Sequence, residues 1–162
     1  MGDMIDIRPG RPDDVPVILN FIRALAEYEK LAHTVTATED LLREQLFGPR
    51  PAAEVLLALV DSRPMAFALY FQTYSTFVGR PGIWVEDLFV LPESRGQGIG
   101  IALLKAVANI AVQQNCGRLE WSVLDWNTAA TGFYKKLGAQ AMDDWTTYRV
   151  TGDALAALGA PR

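Results

Sequence analysis

The chain of 162 residues has a single cysteine, Cys116, and a single histidine, His33. One thiol excludes an internal disulfide and fits a reducing compartment. One His and one Cys are too few donors for a zinc site built on soft ligands. A Ser-His-Asp hydrolase would need His33 as its base, and nothing around His33 supports that role. His33 reads as a surface loop residue and Cys116 as an inert thiol. No window of ~18 residues is apolar without charge, so no spanning helix is expected. Met1-Gly2-Asp3-Met4-Ile5-Asp6 lacks the basic and apolar regions of a secretory signal, and Asp6 stands where a myristoylation motif has Ser or Thr. The cytoplasm is the default expectation, with no membrane partner. Excess positive charge is missing too. Lys and Arg number 15 against 19 Asp and Glu, a net charge of −4, which argues against a chain-wide grip on nucleic acid and suits a cationic partner better.

Half the residues are hydrophobic and 21% are charged, which argues against a disordered chain. The length fits one domain, and no repeat, low-complexity tract or linker interrupts residues 1–162. Ile5 to Arg8 alternates as a short strand before Pro9-Gly10. Pro12-Asp13-Asp14 opens a helix carrying Ile18, Phe21, Ile22, Leu25 and Tyr28 at helical spacing. Thr36-Ala37-Thr38-Glu39 reads as a capping box for a second helix that Gly48-Pro49 ends. Glu54–Asp61 and Met65–Thr73 read as an antiparallel hairpin around Asp61-Ser62-Arg63-Pro64. Ile83 to Leu91 is a strand interrupted by Glu86-Asp87. Ile99 to Gln114 is a helix apolar on nearly every face, as expected of one packed deep against a sheet. A strand over Arg118–Leu124, a helix over Asn127–Leu137, a last strand over Trp145–Val150 and a tail helix over Asp153–Leu158 complete an α/β order with a mixed sheet.

The most specific segment is Arg95-Gly96-Gln97-Gly98-Ile99-Gly100, between a strand and a helix. Glycines there let a ligand approach the backbone, and the first N–H groups of a helix are unpaired, so the segment suits a phosphate or pyrophosphate. A Walker loop would need Lys and Ser or Thr directly after its last glycine, and Lys105 comes too late. A dinucleotide fingerprint would need a third glycine at another offset and an early βαβ unit.

Arg95, Gly98 and Gly100, after Val90-Leu91-Pro92, resemble the pyrophosphate motif of the GNAT superfamily of N-acetyltransferases, and Asn127 followed by Phe133-Tyr134-Lys135-Lys136-Leu137-Gly138-Ala139 resembles its second signature. Ala26 to Leu31, Tyr74-Ser75-Thr76, Glu86-Asp87 and Val123 to Asn127 resemble the diamine acetyltransferase group, which holds spermidine/spermine and thialysine acetyltransferases. The polyamine branch has an acidic pair where Ala32 and His33 stand, so the likeness is nearer the thialysine branch.

The resemblance implies a GNAT-like mixed, mostly antiparallel central sheet flanked by helices, one N-acetyltransferase domain over residues 1–162, acetyl-CoA as cosubstrate without a metal, and a homodimer. It implies that Leu88, Phe89 and Val90 pair with the pantetheine arm and that Arg95, Gly96, Gln97, Gly98, Ile99, Gly100 and Ile101 cradle the pyrophosphate. Asn127, Thr128, Ala129 and Ala130 would line the rest of the groove, with Tyr134 at the thioester. Tyr28, Glu29, Glu86 and Asp87, with Glu120, Trp121 and Ser122, would face the amine.

An amine with a pKa near ~10 is protonated at neutral pH and must lose a proton to attack. A carboxylate can hold the cation and accept that proton. Glu86, in an otherwise apolar strand, is the expected base, because burial would raise its pKa. Asp87 is the weaker candidate, since neighbours on a strand face opposite sides unless a bulge intervenes. Tyr134 would give the leaving thiolate its proton. The expected reaction is direct acetyl transfer to the primary amine of a small molecule, a thialysine-like amino acid or a diamine. The alternatives are acetylation of a protein N-terminus or another amino acid, and a non-catalytic acyl-CoA-binding regulator.

Overall fold

The structure is a computed structural model and describes residues 4–162, so Met1 to Asp3 of the segment read against signal and myristoylation motifs lie outside the described residues. The chain divides into two compact units, one ending at Leu124 and one starting at Asp125.

The first unit runs β1 (Ile5–Pro9), α1 (Val15–Tyr28), α2 (Glu39–Phe47), β2 (Glu54–Val60), β3 (Arg63–Ser75), β4 (Arg80–Val90), α3 (Ile99–Gln113) and β5 (Arg118–Trp121). The strands form a five-stranded sheet in the order β1-β2-β3-β4-β5. All neighbours are antiparallel except β4 and β5, which are parallel because α3 carries the chain back between them. Asp61 and Ser62 close the β2–β3 hairpin with φ of 49° and 64°, the left-handed pair that matches the twist of two strands.

The sheet has a core on each face. Leu56, Ala58, Ala66, Ala68 and Val85 pack with Ile99, Leu103, Val107 and Ala111 of α3, whose four-residue spacing makes one stripe. The opposite face joins Val55, Leu57, Leu59 and Phe67 to Val15, Ile18 and Phe21 of α1 and to Leu42 and Leu46 of α2. Phe21 and Phe67 stack with centroids 5.3 Å apart. Helices on both sides explain why β2 reads as an unbroken apolar run. α3 is less enclosed than its composition suggests, with Val112 exposed. A bidentate pair between Arg8 and Asp14 (2.7 and 3.0 Å) ties β1 to the start of α1 and holds the Asp14 carboxyl below its usual range. The α2 cap lies two residues beyond the expected Thr36: Thr38 accepts from Leu41 N at 3.2 Å.

The second unit holds α4 (Thr128–Lys136) and α5 (Gly152–Leu158). Two sequence expectations are corrected. The strand from Arg118 stops at Trp121 rather than Leu124, since its pairing to β4 ends at Val85. Residues 145–150 form no strand, and Trp145, Tyr148 and Val150 are exposed. A strand's hydrogen bonds come from another strand, so a suitable run of side chains does not by itself create one.

Candidate active site

Tyr70 pairs with Val85 and Leu69 with Asp87, so Glu86 is the extra residue of a β-bulge in β4. The bulge reverses the alternation. Before it, Ile83 and Val85 face α3; after it, Leu88 and Val90 pack on that side, while Phe89 joins the α1–α2 core. Asp87 shares the Phe89 face, two residues away and opposite Leu69.

This exchanges the expected burial of the two carboxylates. Glu86 is exposed and accepts a hydrogen bond from Trp84 Nε1 at 2.9 Å, so the expectation that burial singles it out is corrected. Asp87 is half-buried, and its carboxyl is pushed up to about 7, first by burial and then by the negative charges of Glu86 and Glu29. Glu29 caps the C-terminal end of α1, and its carboxyl is also raised, first by burial and then by Glu86. Three carboxylates from two elements thus act on one another electrostatically.

β5 pairs with β4 only over Gly82–Val85, so Leu88, Phe89 and Val90 have no strand on that side among the described residues. A turn of 3-10 helix, Pro92–Ser94, leads into the glycine loop. Gly96 and Gly98 have φ of 77° and 81°, a backbone region that side-chain-bearing residues avoid. A Cβ at Gly96 would meet nothing within 4 Å, so conformation and open space, not packing, call for glycine there. The first helical bond of α3 runs from Ala102 N to Gly98 O, which leaves the N–H groups of Ile99, Gly100 and Ile101 without an acceptor inside the helix. Such a loop and helix start fit a pyrophosphate. Arg95 turns back from the loop: its Nε donates to Val90 O at 3.0 Å, and its guanidinium carbon lies 4.9 Å from the Tyr28 ring centroid and 5.3 Å from that of Phe89.

On β5, Glu120 is opposite Trp84 and lies 3.8 Å from Arg118. Alternation turns Glu120 away from Trp121, which packs with the α3-side core, and Ser122 lies beyond the strand. In the second unit, Asn127 caps α4 by accepting from Ala130 N at 3.3 Å, Thr128 to Ala130 form its first turn, and Tyr134 lies on it with its ring 5.7 Å from that of Phe133.

Residues 22–139 match the Acetyltransferase (GNAT) family. The chain belongs to that family. A thialysine N-epsilon-acetyltransferase of Bos taurus is 41% identical over 94% of this chain and 95% of its own length. An L-ornithine N5-acetyltransferase of Arabidopsis thaliana is 32% identical over 94% of this chain and 86% of its own length. An integron cassette protein of V. cholerae superposes with a TM-score of 0.81 at 28% identity, over 99% of each chain. The GNAT fold is therefore shown, and this GNAT protein is an acetyl-CoA-dependent N-acetyltransferase.

Among the described residues of this acetyltransferase, no helix is long and apolar enough to cross a membrane, and no group of His, Cys, Asp or Glu is arranged to hold a metal ion. His33 is exposed as expected, but in a turn of 3-10 helix (Ala32–Thr34) rather than a loop. Sequence reasoning expected burial at Glu86 rather than Asp87 and missed the stacking of Arg95 on Tyr28. The first had a signal: apolar positions shift from odd numbers at Ile83 and Val85 to even numbers at Leu88 and Val90. The second had none, because Tyr28 and Arg95 are far apart in the chain.

Proposed function

We propose that residues 1–162 act as one N-acetyltransferase domain that moves the acetyl group of acetyl-CoA to the primary amine of a small molecule, with Asp87 as the base. The observation that carries the assignment of the base is the half-buried Asp87 carboxyl, raised to about 7 beside Glu86 and Glu29. A carboxylate with a pKa near the working pH can take a proton from an ammonium without holding it too tightly. Glu29 and Glu86 hold the cation nearby. The free amine attacks the thioester carbonyl, a C–N bond forms, the C–S bond breaks, the thiolate leaves, and the new amide nitrogen gives up its extra proton to water. Tyr134 is the proposed donor of the thiolate's proton, as the family resemblance implies, since a phenol offers an O–H. Direct attack in a ternary complex is favoured over a thiol relay, because Cys116 follows the far end of α3.

For the cosubstrate, the open stretch Leu88–Val90 suits an extended amide-bearing arm, and Gly96 to Ile101 suit the pyrophosphate. The preferred acceptor is an ω-amino acid of the thialysine or ornithine kind, consistent with the acceptors that the relatives are named for. Its α-carboxylate would want a cation. Lys30, next to Glu29, suits this better than Arg80, which stands about 20 Å back along β4. The working form is taken to be a cytoplasmic homodimer with no nucleic-acid or membrane partner.

A panel of thialysine, lysine, ornithine and spermidine, read by thiol release from acetyl-CoA, tests the proposal. The expected result is a higher kcat/KM for the amino acids than for spermidine. Spermidine ahead by tenfold would overturn the ranking, and no release with any amine would overturn the acceptor class. Tyr134→Phe should lower kcat by roughly 10²-fold with little change in acetyl-CoA affinity. A kcat within twofold of the parent would remove Tyr134 from the mechanism.

A further inference from the structure

The amine-side helix and the glycine loop are joined by one side chain. Arg95 is the residue from which the loop departs, yet its guanidinium is directed back, over the rings of Tyr28 at 4.9 Å and Phe89 at 5.3 Å. Its Nε is bonded to the carbonyl of Val90, the last residue of β4. Tyr28 is the last residue of α1 and adjoins Glu29. Phe89 is buried in the core on the Asp87 face of the sheet. A planar cation resting on two aromatic faces, with one donor committed to a backbone carbonyl, has its orientation set by the protein. The backbone of Arg95 in turn sets where Gly96 begins.

We propose that Arg95 is a strut between the end of α1 and the Gly96–Gly100 loop, and that the Tyr28 ring is thereby a positioning residue for acetyl-CoA although it belongs to the amine side. The inference rests on reading that loop as the pyrophosphate site. It has a consequence that neither role alone would give: a change at Tyr28 alters cosubstrate affinity with no amine present. A lysine cannot replace Arg95, because an ammonium has neither the flat face for the rings nor the fork that leaves Nε for Val90.

The test is calorimetric binding of acetyl-CoA, without amine, to the parent, Tyr28→Leu, Tyr28→Phe, Arg95→Lys, and the Tyr28→Leu/Arg95→Lys double variant. Tyr28 is 42% exposed and Arg95 is exposed, so these changes leave the core filled; thermal midpoints confirm folding. Tyr28→Leu should raise Kd about three- to tenfold, Arg95→Lys at least as much, and the double variant no more than Arg95→Lys alone. Tyr28→Phe, which keeps the ring, should return Kd to within about twofold of the parent. A parental Kd in Tyr28→Leu, or strict additivity in the double variant, overturns the strut. A parental Kd in Arg95→Lys makes Arg95 a point charge for phosphate and overturns it too. Failure of the parent to bind acetyl-CoA, or unchanged binding in Gly98→Val, would instead overturn the loop assignment, and the strut with it.

Discussion

From Gly82 to Val85, β4 has β3 on one side and β5 on the other, whereas from Glu86 to Val90 it has, among the described residues, β3 alone. Both stretches belong to one strand and one hydrophobic sheet. The first places Ile83 and Val85, 2% and 3% exposed, in the core against α3. The second, past the extra residue at Glu86, turns an acidic side chain toward the α1 face and leaves a strand edge open. The contrast shows how little is needed to turn a strand paired on both sides into one with an open edge and an acid on its other face. One inserted residue reverses the alternation, and the neighbouring strand ends there.

The difference can be tested by removing one side chain from each stretch. The largest effect is expected in the open stretch. Asp87→Asn should lower kcat by roughly 10²–10⁴-fold, and the parent's rise in kcat/KM as pH increases through the region of the Asp87 pKa should vanish. The same change should stabilise the protein. The Asp87 pKa is raised from 3.8 to about 7, so between those values the folded state holds a proton the unfolded chain has released, and stability falls as pH rises. Removing the titration should add about 1 kcal/mol or more at neutral pH, roughly 2–4 °C in Tm. Loss of stability on Asp87→Asn would contradict the burial argument. In the paired stretch, Ile83→Ala should do the reverse, losing about 2–4 kcal/mol in urea unfolding while kcat of the folded fraction stays within about threefold.

Two smaller effects sharpen the picture around the open stretch. Gly98→Val should weaken acetyl-CoA binding tenfold or more, ~1.4 kcal/mol by calorimetry, because it crowds the loop backbone. With φ at 81°, the valine also strains the chain, so a drop of about 1–2 kcal/mol in stability should accompany it. The mildest change is Glu29→Gln, which removes a charge at a helix end. It should raise KM for the amine severalfold and leave kcat nearly unchanged. An equal fall in kcat would place Glu29 in the proton transfer instead.

Most of the sheet and its helices were legible in the residues. The hairpin over β2 and β3, the α3 stripe and the glycine loop are local patterns, and each formed close to its expected bounds. The start of α3 was legible for the same reason, since a loop and the helix it opens are contiguous. Residues 145–150 were misread because their alternation describes only what a strand could contribute, not whether a partner edge is present. The extra two residues before α2 were misread because Thr36 and Thr38 offer the same hydroxyl chemistry and only the chain's path selects between them.

Residue order by itself determined that this chain carries a glycine-rich turn before an apolar helix, an acidic pair in an apolar strand and a carboxylate at the end of α1. Each of these depends on neighbours in the chain, and so does the helix or strand that bears it. Which member of the pair is half-buried was decided only in the tertiary structure. A bulge is a relation between two strands, and the pKa of Asp87 depends on burial and on charges brought in by α1. The stacking of Arg95 on Tyr28 belongs to the same class. Its cause is the packing of a helix end against a loop, which no local pattern encodes.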